Sequence, residues 1–215
     1  MLSNIKRWGV LIICVSFLGM SACTQVPVKQ TQKEKPAALV KDRQNAWKQR
    51  QAYLNRKTVW SMTSKIALRF RDDHWTFGLN WLQRSPYQYV MQIKNPVTGA
   101  IVAKISRQGR QVTLLANDGK RYQDTDEERL LQRQTDVILP LKGMQYWVRG
   151  LTSPQYKVDK LLLDARGRPT TIYQAGWKIN YSRYANQQFN ALPGKIVITR
   201  DRDSVYLKII VKQWR

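Results

Sequence analysis

The sequence is poor in the residues that carry most protein chemistry: two cysteines, one histidine and 14 acidic residues in 215 positions. His74, the sole histidine, stands in "RDDHW" beside Asp72 and Asp73. Side chains of adjacent residues in a tight turn diverge, so this stretch reads as a hairpin turn and not as a metal centre or a catalytic triad. The acids fall mainly in turns or near Thr125, with no apolar pocket evident around them to tune a carboxyl pair for acid–base work. A glycine-rich phosphate loop is also missing. The longest charge-free apolar run, Trp8–Met20, is shorter than the roughly 20 residues a permanent membrane-spanning helix needs. These shortages lead to the expectation of no enzyme, no metal and no cofactor.

What is present begins at the front. "MLSNIKRWGVLIICVSFLGMSAC" places a basic flank, Lys6 and Arg7, before the apolar run, then the small residues Ser21 and Ala22, then Cys23. That order reads as an export signal with a small-residue cleavage site. It resembles the lipobox of bacterial lipoproteins, which implies that residues 1–22 are removed and Cys23 becomes an N-palmitoyl, S-diacylglycerol cysteine. Cys14 leaves with the signal, so no intramolecular disulfide is possible, and acylation accounts for the odd cysteine that remains. Each buried CH₂ contributes about 0.8 kcal/mol, so several chains anchor a protein almost irreversibly. Thr24, where an aspartate would favour inner-membrane retention in sorted lipoproteins, points to the outer membrane.

Basic residues are plentiful. Lys and Arg number 37, giving a formal charge of +23, and loss of the signal removes only Lys6 and Arg7. Such a balance raises nucleic acid as a partner. An exported, tethered chain rarely meets it, so an anionic lipid surface or an acidic protein is the better expectation.

Residues 23–38 are polar and proline-punctuated, a flexible tether. From Leu39 to Lys57 the pattern turns helical, with Val40, Trp47 and Leu54 every seventh residue and Ala46 and Tyr53 beside them. Period two then dominates: Ile66, Leu68 and Phe70; Trp75, Phe77, Leu79 and Trp81; Tyr87, Tyr89, Met91 and Ile93; Trp177, Ile179 and Tyr181; Ile196 and Ile198; Val205, Leu207, Ile209 and Val211. Turn chemistry at "RDDH", "NDGK", "DARGRP" and "RDRD" spaces these as antiparallel hairpins with one apolar face. Two helical stretches interrupt them. In "TDEERLLQRQ", Thr125 and Glu128 have capping-box spacing. In "LPLKGMQYWVRGL", Leu141, Met144, Trp147, Val148 and Leu151 share a side, with Gly150 as a stop. The chain has no internal repeat, and 39–215 reads as a single domain. A sheet of about ten strands twists until it curls or closes. The expectation is a mainly β, α+β fold: a strongly curved, incompletely closed antiparallel barrel with three helices over its mouth.

Several blocks, in order, carry a family resemblance: "KNPVTGA", "NDGKRYQDTDEERLL", "LPLKGMQYWVRGL", "KVDKLLLDARGRPTTIYQAGWKINYSRY" and "LPGKIVITRDRDSVYLKIIVKQW". Together with the lipobox they resemble the LolB family of outer-membrane lipoprotein receptors. The resemblance implies an unclosed half-barrel of ten or eleven strands with an α-helical lid, shared with the soluble carrier LolA. It implies a monomer that faces the periplasm, takes cargo lipoproteins from a LolA-like carrier and inserts them into the inner leaflet of the outer membrane. It also implies that the loop holding Pro96 and Val97 is the membrane-insertion loop. The family's usual residue there is leucine, so valine gives up about one CH₂, roughly 0.8 kcal/mol of interfacial affinity.

For such a carrier the acyl-chain cavity candidates are Ile66, Leu68, Phe70, Phe77, Leu79, Trp81, Tyr89, Met91, Met144, Trp147 and Val148. Met side chains adapt to irregular cargo and Trp offers broad flat contact. Chains are expected to enter between the sheet and the lid helix holding Met144 and Trp147. The alternative is a structural or scaffold outer-membrane lipoprotein that binds envelope components.

Overall fold

The computed structural model describes residues 36–215; the export signal, Cys23 and most of the tether expected at 23–38 lie outside them. A helix, α1 (Pro36–Arg56), leads into β1 (Trp60–Phe70), β2 (Asp73–Ser85), β3 (Gln88–Lys94), β4 (Ile101–Gln108), β5 (Gln111–Ala116) and β6 (Arg121–Asp124). Two helices follow, α2 (Glu127–Thr135) and α3 (Leu141–Trp147). The chain then forms β7 (Val158–Leu163), β8 (Pro169–Gln174), β9 (Trp177–Tyr184), β10 (Pro193–Arg200) and β11 (Val205–Trp214).

All eleven strands join one antiparallel sheet in the order β6-β5-β4-β3-β2-β1-β11-β10-β9-β8-β7. The order explains the lid. β6 and β7 are the two edges of the sheet, so the segment between them, which contains α2 and α3, must pass from one edge to the other. Twist curls a sheet of this width, and the shortest route runs across its concave side. Alternation supplies the greasy face: in β1, Trp60, Met62, Ile66, Leu68 and Phe70 are buried, while Thr63, Lys65 and Arg69 are exposed.

Local details depart from the sequence pattern. α1 starts three residues before Leu39 and ends one before Lys57. Trp47 and Leu54 are buried with Leu151, but Val40, the third member of the seven-residue repeat, is exposed. The capping box at Thr125 does not form. Asp126 is the N-cap, and its carboxylate accepts from the backbone N–H groups of Glu128 and Arg129, both at 3.0 Å. A carboxylate suits the positive end of the helix better than a hydroxyl, and Glu128 instead accepts the Lys142 N–H at 3.2 Å. Beyond α3, Gly150 lies in the left-handed region at φ +68° and turns the chain.

Candidate functional site, an apolar cavity beneath the lid

The curved sheet is filled on one side and hollow on the other. On the filled side Trp147 is the keystone. Its Nε1–H donates to Gln174 Oε1 at 2.8 Å, and its carbonyl accepts from the Tyr181 hydroxyl at 2.9 Å. Gln174 in turn donates to the carbonyls of Ser153 and Tyr156. Trp147 and Val148 are wholly buried here with Ile172, Ile179, Ile196 and Ile198.

Under β1 to β4, by contrast, a cavity of about 690 Å³ opens. Its volume falls within the roughly 300–1,000 Å³ of ligand pockets. The sheet contributes Ile66, Leu68, Phe77, Leu79, Trp81, Met91, Ile93 and Ile105; the lid contributes Leu131, Val137, Leu139, Leu141 and Met144. No residue of β7 to β10 takes part. Seven of the expected cavity residues therefore come together: Ile66, Leu68, Phe77, Leu79, Trp81, Met91 and Met144.

Phe70, Tyr89, Trp147 and Val148 do not line the cavity, and each has a physical reason. Phe70 closes the end of β1, with the Arg71 guanidinium 4.9 Å from its ring. Trp147 and Val148 fill the solid side. Tyr89 sits behind Trp81, ring centroids 6.2 Å apart, with its hydroxyl buried and unbonded among the described residues. Burial, and next the charge of Glu127, push that hydroxyl well above the ordinary tyrosine range. Missing from the expected set were Ile93, Leu131, Leu141 and Leu207, and also Val137 and Leu139, which roof the cavity from the α2–α3 connection. "DVILP" has no period to mark them. Ile105 was also missed, although Ile101, Ala103 and Ile105 alternate along β4.

The lid is held by charge at its ends and by apolar contact between. Glu127, fully buried, accepts from Arg107 Nη1 at 2.6 Å and ties α2 to β4. Lys142 Nζ donates to Asp126 at 2.6 Å and ties α3 to α2. Burial raises the Glu128 carboxyl above the ordinary glutamate value.

His74, Trp75, Asn95, Pro96, Gln134 and Thr135 also line the cavity, at the β1–β2 and β3–β4 ends and the end of α2. Beside them the loop from Asn95 to Ala100 is internally bonded. Asn95 Oδ1 accepts the N–H groups of Val97 at 2.9 Å and Thr98 at 3.0 Å. The Asn95 N–H donates to the Ala100 carbonyl at 2.8 Å, and Gly99 takes the φ of +75° that the turn requires. This bonded turn projects Val97, which is 91% exposed. Trp75 is 40% exposed and Ile101 48%. Among the described residues no cluster of metal ligands occurs, and no helix is long and apolar enough to cross a membrane.

Known proteins resemble this chain in sequence and in fold. The LolB of Alkalilimnicola ehrlichii is 30% identical over 209 residues, covering 97% of this chain and 98% of that protein. That of Pseudomonas aeruginosa strain LESB58 is 32% identical over 170 residues, 79% of this chain and 80% of that one. A LolA-superfamily crystal structure from Nitrosomonas europaea superposes with a TM-score of 0.52 at 11% identity, over 81% of this chain and 93% of the other, a likeness of fold alone. Residues 58–214 match the family described as outer membrane lipoprotein LolB, and the chain belongs to that family of outer-membrane lipoproteins.

Proposed function

We propose that the protein receives acylated lipoproteins from a soluble LolA-like periplasmic carrier, shelters their acyl chains in the cavity under the lid, and inserts them into the inner leaflet of the outer membrane. It works as a monomer, by binding alone, without cofactor or bond-making chemistry. Cys23 carries its own lipid anchor after residues 1–22 are removed, and the tether that follows gives the 39–215 domain its reach.

The observation that carries this reading is a hollow, predominantly apolar chamber whose lining extends to the rim that projects Val97. An acyl chain in water costs about 0.8 kcal/mol per CH₂, so a carrier must offer a dry surface along the chain's length. Met91 and Met144 on opposite walls let that surface adapt. Hand-over needs no nucleotide if this cavity binds more tightly than the donor, each tenfold in affinity being about 1.4 kcal/mol. The rigid Asn95–Ala100 turn then presents Val97, and Pro96 beside it, to the bilayer beside the cavity.

A transfer assay with a loaded carrier tests both parts. Leu68→Trp fills the chamber from the β1 wall, so cargo stays on the donor while the melting temperature holds. Val97→Glu accepts cargo but fails to deliver it to vesicles. Normal transfer by both variants would refute the reading.

A further inference from the structure

The face of the sheet turned away from the cavity carries an ordered row of cations and tyrosines. Across six neighbouring strands, register places Lys160, Tyr173, Lys178, Thr199, Tyr206 and Arg69 side by side. Their chain neighbours Ile172, Ile179, Ile198, Leu207 and Leu68 point inward and are buried, so alternation puts the row outward. Lys160 Nζ and Lys178 Nζ stand 6.0 and 5.8 Å from the Tyr173 ring, one on either side, and the Arg69 guanidinium lies 4.5 Å over Tyr206. Among the described residues none of these three cations is paired with a carboxylate.

The row's position matters as much as its composition. Arg69 is next to last in β1, Thr199 next to last in β10, Tyr206 second in β11 and Lys178 second in β9. The row therefore runs perpendicular to the strands along one rim of the sheet. It is the same rim at which β3 ends and the Asn95–Ala100 turn projects Val97. Of the acids at that rim, Asp203 is engaged by Arg200 and Arg202, and Asp118 by Lys120 at 3.0 Å. Asp72 and Asp73 at the β1–β2 turn, Asp159 in β7 and Asp201 after β10 stand among the cations without an ion pair among the described residues.

We propose that this row is a docking belt for the phosphate headgroups of an anionic bilayer, setting the depth and tilt at which Val97 enters. Lys and Arg near a negative leaflet contribute about 1 kcal/mol each, and tyrosine favours the headgroup level. The belt fits a bilayer better than an acidic protein. Flexible ammonium groups tolerate laterally mobile headgroups, whereas protein interfaces are depleted in lysine. The belt's orientation rests on the reading of Val97 as the membrane tip.

The test uses the full chain carrying Cys23→Ser, so that no acyl anchor contributes, sedimented with phosphatidylcholine vesicles with and without phosphatidylglycerol. Neutralising the belt in Arg69→Gln/Lys178→Gln weakens binding to the anionic vesicles roughly tenfold or more and leaves binding to neutral ones unchanged. The control is Lys65→Gln/Lys195→Gln. Lys65 lies four residues from Arg69 on the same face, about 13 Å back from the belt and beyond the Debye length of about 8 Å at physiological salt. It loses far less. Equal losses in the two pairs would reduce the belt to net charge and overturn the proposal. Unchanged vesicle binding with slower capture of an acidic carrier overturns it too, and gives the row to a protein. Val97→Glu separates the two readings. If it binds both vesicle types like its parent while the belt variant does not, the tip reading fails and the belt stands; the reverse pattern overturns the belt alone.

Discussion

Arg50 and Arg149 terminate each other's helices. Arg50, in α1, donates to the Arg149 carbonyl at 2.7 Å and the Gly150 carbonyl at 3.2 Å, just past α3. Arg149 Nη1 donates back to the carbonyls of Leu54 at 2.9 Å and Lys57 at 3.0 Å, at the end of α1. Arg50 also donates to the Phe189 carbonyl at 2.6 Å and the Ala191 carbonyl at 2.8 Å, so the loop before β10 is drawn into the same knot. Among the described residues neither guanidinium pairs with a carboxylate; backbone carbonyls at or just beyond the ends of α1 and α3, and in the loop before β10, are the acceptors. Burial lowers both pKa values, that of Arg149 to about 10; guanidinium groups stay protonated in proteins.

Arg50→Leu should therefore be among the most destabilising substitutions available. It leaves four carbonyls without their donor, and hydrogen bonds to a charged group are individually worth about 1.5–3 kcal/mol. The expected loss in urea unfolding is roughly 3–5 kcal/mol, with amide exchange accelerating first in α1. Arg50→Lys should recover little, because a single ammonium cannot span four acceptors laid out for a planar fork. Recovery of most of the stability by lysine would show that charge, and not the fork, holds the knot.

Gly143 sets two effects against each other. It lies inside α3, where alanine normally gains about 1 kcal/mol over glycine. A Cβ there would stand 2.7 Å from two ring atoms of Trp147. That ring cannot yield freely, being pinned by its bond to Gln174 and packed 6.4 Å from Trp177. Overpacking of this kind costs about 1–3 kcal/mol, so Gly143→Ala should lower the melting temperature despite its better propensity. Loss of near-ultraviolet dichroism from the displaced indole would accompany it.

The sequence made some of this legible and not the rest, for reasons that lie in particular residues. Ile66, Leu68, Leu79 and Met91 announce themselves because a strand with one wet face must alternate, and alternation survives any tertiary context. What alternation cannot say is which buried residues touch protein and which touch empty space. Trp147 and Met144 sit one turn apart on the same helix, yet one is locked to Gln174 and the other walls a void. That difference arises from Gln174, 27 residues away. Val137 and Leu139 escaped because the roof they form belongs to a connection, and connections have no period. Val97 was legible through family resemblance alone; in isolation "NPVTG" is an ordinary turn, and its exposure is a property of the fold.

Acid should unfold the protein through Asp124 and Asp164, and Glu128 should oppose them at higher pH. Hydrogen bonding from Arg129 holds Asp124 well below the ordinary aspartate value, and Arg133 joins it. For Asp164, burial pulls upward but is outweighed by hydrogen bonds from the backbone and side chain of Arg168 and the backbone of Arg166. A carboxyl depressed in the folded state contributes stability that is present above its unfolded value, about 3.9 for aspartate, and is lost as the pH falls through the folded value. Glu128 has the reverse sign. Burial raises it in the folded state, so its contribution is complete below the unfolded value, about 4.3 for glutamate, and is lost as the pH rises through the folded one. Melting temperatures followed from pH 7 down to pH 2 should fall steeply at the acid end, and Asp164→Asn should flatten that limb. Glu128→Gln keeps an oxygen for the Lys142 N–H and removes the titration, so it should gain stability near neutrality relative to the parent while tracking it in acid. If Glu128→Gln were destabilised at neutral pH, the carboxylate would be engaged by Lys142 strongly enough to outweigh its burial.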